Sequence, residues 1–216
     1  MKNTLLLVFA LISAIFFSNE AYSKKSYIPY VGTESWNSIE LSCELSEVID
    51  IEYEFESRFE LDYEKDTKHI NNFGLSYKPL FFLKLDGVFR IKHKNTIPSV
   101  ELITQANFKY EINPLEFQYR LRFQYKFKDY ERIWRQRIKA EYKFLEDFSL
   151  ELASEMFLNV YSSNFSKFEE NRSTLSLGYE ISKTFEVSAG FMYYTEFNVK
   201  KPKEARVYQL GLGINI

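Results

Sequence analysis

The chain is poor in the residues that punctuate soluble β proteins and build metal sites. Its 216 residues include seven glycines, five prolines, two histidines and one cysteine. A soluble β-sandwich uses more Gly- and Pro-rich turns than this. Cys43 stands alone, so it forms no intramolecular disulfide. His69 and His93 are thin material for histidine chemistry, and no Gly-rich phosphate loop is present. Neither sign of charge is in excess: 28 Lys and Arg face 30 Asp and Glu, a formal net charge of −2. A nucleic-acid partner calls for a clear basic excess, so none is expected. After residue 23 the chain also lacks long apolar runs, Leu80 to Leu83 being among the longest. A membrane-spanning helix needs about 20 apolar residues.

The one extended apolar stretch lies at the start. Lys2 precedes a run from Leu5 to Phe17, and Ala21-Tyr22-Ser23 puts small residues at the positions a signal peptidase reads. This predicts a cleaved secretory signal peptide over 1–23. Residues 24–216 are expected to form a single domain. No cysteine sits at the cleavage site, so a lipoprotein is not expected.

What fills that domain is alternation. In "EFQYRLRFQYKF" (116–127), Phe117, Tyr119, Leu121, Phe123, Tyr125 and Phe127 share one parity. Glu116, Gln118, Arg120, Arg122, Gln124 and Lys126 share the other. Period two means a strand with one greasy and one charged face. The same pattern recurs over 39–45, 49–63, 73–77, 83–92, 100–112, 132–144, 148–161, 171–181, 185–197 and 205–216. Most of these stretches reach the length of about 10 residues that suits a tilted strand crossing a bilayer. Short connections such as Asn113-Pro114 alternate with longer polar ones such as 162–170. Aromatic residues make up 18% of the chain, as interfacial girdles require. The pattern predicts an all-β, transmembrane, antiparallel up-and-down barrel. Single-chain bacterial barrels have even strand numbers. Tyr27 to Gly32 is therefore read as an additional first strand, making about twelve, with ten as the alternative. A soluble, lipocalin-like periplasmic barrel is the competing architecture.

The last strand, "YQLGLGINI", carries Tyr208, Leu210, Leu212, Ile214 and Ile216 on one parity and Gly211 and Gly213 on the other. A strand of this order at the very end looks like the C-terminal signal that barrels present to their assembly machinery, although Ile216 stands where an aromatic residue is usual.

Four stretches together resemble a known family. "SWNSIELSCELSEVIDIEYEFESRF", "NNFGLSYKPL", "YRLRFQYKF" and "RIWRQRIKAEYKF" are similar to the domain of unknown function 2490 family, whose members are predicted bacterial outer-membrane β-barrels. The resemblance spans nearly all of the mature chain. It implies an outer-membrane location and carries no reaction or substrate.

With the aromatic parity toward lipid, the charged parity lines the lumen. Arg120, Arg122 and Lys126 then adjoin Arg135, Arg137, Lys139 and Lys143 on the next strand, a basic wall. Glu52, Glu54, Glu56, Glu60 and Asp62 form an acidic wall. The two are expected to face each other across the lumen, either as charge rings that select solutes or as a salt-bridged plug. No enzyme activity, metal or cofactor is expected. His69 and His93 read as solvated rim residues, with Ser76 and Ser163 as conceivable nucleophiles of a lipid-modifying enzyme, the alternative function. Cys43 reads as a small apolar wall residue. The alternating glutamates of the second strand are not a calcium loop. Expected partners are outer-membrane lipid, the barrel-assembly machinery and small charged solutes.

Overall fold

A computed structural model describes residues 30–62, 67–94, 97–162, 165–199 and 202–216. The expected signal peptide lies outside the described residues, as do Tyr27 to Pro29 and Ser163. Eleven strands make up the fold: β1 (Tyr30–Ser46), β2 (Ile49–Glu60), β3 (Lys68–Leu80), β4 (Leu83–Lys94), β5 (Ile97–Ile112), β6 (Leu115–Lys126), β7 (Glu131–Lys143), β8 (Phe148–Ser162), β9 (Phe165–Glu180), β10 (Phe185–Glu196) and β11 (Glu204–Asn215). No helix occurs among the described residues. The strands close into one barrel in which each pairs with its sequence neighbours, and β1 closes against β11.

The count of eleven corrects the expected twelve. Tyr30 to Gly32 is not a separate strand but the first part of β1, which continues through "TESWNS" to Ser46. The register shifts between Tyr30 and Gly32. Gly32, at φ 147°, lets the chain absorb that bulge without turning back. An odd number of up-and-down strands leaves the first and last running the same way. Hence β1 and β11 pair in parallel, with Ser38 opposite Gly211 and Leu41 opposite Ile214, while every other pair is antiparallel.

The largest correction to the loop reading lies at one place. Residues 165–170 are strand, not loop, and Ser162 pairs with Phe165. A bulge lies here: Phe157 faces Glu170 and Leu158 faces Phe168, so Glu169 is an extra residue. It breaks the period of two, which is why the sequence looked irregular.

The end where β1 begins is termed the upper rim; the end where β1 turns into β2 is the lower rim. The two faces of the wall have opposite chemistry. Large apolar side chains point outward, with Leu75 57% and Leu210 58% exposed. Charged and polar ones point inward, with Glu101 1%, Asp86 5% and Arg135 7% exposed. Among the described residues, the ionised side chains on the outward parity are Arg132, Glu204 and Arg206, all at the upper-rim starts of β7 and β11. His69 and His93, paired across β3 and β4, stand at the same rim.

Candidate functional site in the barrel lumen

The inward parity of the strands encloses a cavity of about 850 Å³. It reaches from Trp36, Arg58 and Arg172 toward the upper rim to Glu180 and Glu186 at the lower rim. The seven basic residues singled out from sequence, Arg120, Arg122, Lys126, Arg135, Arg137, Lys139 and Lys143, all line it. So do Glu52, Glu54 and Glu56. Glu60 and Asp62 do not: both are exposed, Glu60 as the last residue of β2 and Asp62 past its upper end, where it accepts a hydrogen bond from the Thr33 amide at 2.6 Å.

The two walls do not neutralise each other across the lumen, because nearer partners stand on the same strand or one or two strands away. Glu155 on β8 accepts Arg120 Nη2 at 2.8 Å and Arg135 Nη2 at 2.7 Å. Glu151, also on β8, pairs with Arg137 and with Lys139 at 3.2 Å. On the other side Glu52 pairs with Lys84, and Glu56 with Arg58. Between them Glu101 accepts Lys92 Nζ at 2.6 Å and Gln124 Nε2 at 2.8 Å. Asp86 accepts Ser76 Oγ at 2.6 Å and Gln105 Nε2 at 2.7 Å. Buried charge persists only when paired and hydrogen-bonded, and these local clusters meet that condition.

Toward the upper rim, guanidinium groups and aromatic rings alternate in one stack. Arg58 lies 3.4 Å over the Trp36 ring, Arg172 lies 5.2 Å from Trp36 and 4.4 Å from Phe157, and Arg135 lies 4.2 Å from Phe157. Five residues from β2, β1, β9, β8 and β7 are thus tied together. Trp36 also packs with Met192, Ala205 and Val207, an apolar patch inside the lumen.

Sequence reasoning missed Glu155, Glu151, Glu101, Arg90 and Arg172. Each sits on the polar parity of its own strand, and that signal would have found them; attention to runs of one sign passed over them. The arc facing the arginines is lined by small residues: Ser38, Thr174, Ser176, Ser188, Gly190 and Gly211. They leave the cavity its width there. A Cβ on Gly211 would meet Ser188 Oγ at 2.5 Å.

The candidate nucleophile Ser76 is fully buried between Asp86 and Glu52, away from both histidines. The hydroxyl that does meet a histidine is that of Ser57, 2.9 Å from His69 Nδ1 on the outer face, with Phe55 stacked on the ring. Cys43 is a free, half-buried thiol opposite Ile51. Among the described residues, no cluster of three or more His, Cys, Asp or Glu can hold a metal ion. In the last strand Tyr208 and Leu210 point outward, Gly211 lines the lumen, Leu212 and Ile214 face Ile39 and Leu41, and the Ile216 amide bonds Ser42.

An apolar exterior, a charged interior and a closed ring of strands define a β-barrel with a polar lumen. The chain belongs to the family described as "Protein of unknown function (DUF2490)", whose model matches residues 33–205. A comparison with curated proteins gives no match.

Proposed function

We propose that the protein is a bacterial outer-membrane β-barrel, made with a cleaved signal peptide, whose charged lumen admits small polar solutes and which performs no enzymatic reaction. The observation that carries this reading is the inversion of the wall. Ionised groups are costly on a lipid-facing surface, most of all at mid-depth, and among the described residues the outward parity holds them only at one rim. Strand length agrees: twelve residues at about 3.3 Å each reach about 40 Å, enough to cross the hydrocarbon layer at a tilt of about 40°. The final strand supplies the assembly signal through Tyr208, Leu210, Gly211, Leu212, Ile214 and Ile216.

A lipid-modifying enzyme is the second reading, and the Ser57–His69 contact favours it. Against it, Ser57 is only 8% exposed, so its hydroxyl gives an ester little access.

Single-channel recording separates the two. Residues 24–216, refolded and shown to migrate differently with and without heating, are inserted into a planar bilayer. The expected result is discrete, salt-dependent conductance steps. Arg120→Glu with Arg137→Glu should move ion selectivity toward cations, since both side chains line the lumen. Unchanged selectivity and conductance would remove these residues from the conducting wall. A folded but silent protein would end the channel reading and turn attention to lipid chemistry at the upper rim.

A further inference from the structure

We infer that the lumen face formed by β6 and β7, around Arg120 and Arg122, is a binding site for a small soluble oxyanion: a phosphate or carboxylate group carried by a polar solute. The inference rests on the reading of the lumen as open to solutes, but not on conduction through it.

The first observation is register. Arg120 stands directly opposite Arg137, and two residues on Arg122 stands directly opposite Arg135. Like charges placed opposite each other across a strand pair are destabilising. Here two such pairs follow one another on the inner face, where the side chains are half-buried or buried.

The second is the local balance of charge. The charged groups acting most strongly on Arg122 are Arg120, Arg135 and Arg90, against the single carboxylate of Glu155. Glu155 is already divided between Arg120 and Arg135.

The third is unused donor capacity. A guanidinium offers five N–H donors in a planar fork matched to oxyanions. Among the described residues, Arg122 makes one side-chain hydrogen bond, from Nε to the neutral Gln105 Oε1 at 2.7 Å, and has no ion-pair partner. Arg120 Nε is buried with no acceptor at all. Buried donors in native proteins are nearly always satisfied, and an anion seated between these two side chains satisfies them and offsets the repulsion together.

The fourth is space of the right character. Both arginines border the cavity, and Ser176, Ser188, Gly190 and Gly211 border it too. Hydroxyls and bare backbone suit the polar remainder of a soluble solute. These four offer an acyl chain little apolar surface, and the apolar patch of Trp36, Met192, Ala205 and Val207 lies toward the upper rim, so a soluble solute fits this face better than a lipid headgroup.

The test is calorimetric titration of the refolded chain in micelles, at constant ionic strength, with inorganic phosphate, citrate and a short-chain phosphatidate below its micelle concentration. Saturable binding of phosphate or citrate is expected. Arg122→Gln should weaken it tenfold or more. Glu155→Gln removes the competing internal anion and should tighten it. A barrel merely damaged by substitution would lose affinity in both variants, so the opposite signs carry the result. No saturable binding to the folded wild type, or equal affinity in Arg122→Gln, overturns the site. Phosphatidate binding far tighter than phosphate overturns its assignment to a soluble solute. Conductance without anion binding would sink this inference alone; binding without conductance would sink only the channel.

Discussion

Trp36 shows how a single inward side chain can hold a barrel wall together. Its ring meets the guanidinium groups of Arg58 and Arg172 and packs with Met192 and Val207, so it joins β1 to β2, β9, β10 and β11. Removing a buried tryptophan costs about 3–5 kcal/mol, and each desolvated cation–π contact adds up to about 2 kcal/mol. Trp36 is 8% exposed but faces a polar cavity, so the lower figure applies. Trp36→Ala is expected to lose about 3 kcal/mol, read as a lower urea midpoint of heat-modifiable migration. An unchanged midpoint would show that the stack does not stabilise the fold. At this scale the sequence was half legible. Parity placed Arg120, Arg135 and Glu56 inside, because period two fixes a face. It did not pair them, because partners such as Glu155 for Arg120 are set by strand register and tilt.

At the scale of elements, all eleven strands were visible as alternation, and the largest errors arose where a bulge broke it. Gly32 hid the continuity of β1, and Glu169 hid the first residues of β9. The even count expected of such barrels then supplied a strand that β1 already contained. The parallel seam is the consequence that solution chemistry can check. Ser38 faces Gly211 across it, and a Cβ on Gly211 would lie 3.5 Å from Ser38 Oγ. In a Cys43→Ser background, the pair Ser38→Cys and Gly211→Cys should crosslink on mild oxidation of the folded protein, giving a band on a denaturing gel that reduction removes. A twelfth strand between β1 and β11 would hold these positions apart, and no crosslink would form.

For the whole molecule the question is which solvent the outer face meets. Water and lipid make opposite demands on one position. Leu75 is mid-strand in β3, 57% exposed, opposite Ile51 and Gly87. In a soluble barrel an arginine there would extend into water, and such surface changes stay within about 0.5 kcal/mol. In a membrane barrel the same arginine sits in hydrocarbon at a cost of about 2–4 kcal/mol near the midplane. Leu75→Arg is therefore expected to cut stability in bilayers by that amount, while leucine to arginine at Leu61, 57% exposed beyond the upper end of β2, costs little. The comparison removes generic effects of the substitution, because the two leucines are equally exposed and differ in depth. Equal and small effects would place the outer face in water. The apolar surface around Phe73, Leu75 and Phe89 would then be a site for protein contacts, as large exposed apolar patches on soluble proteins are.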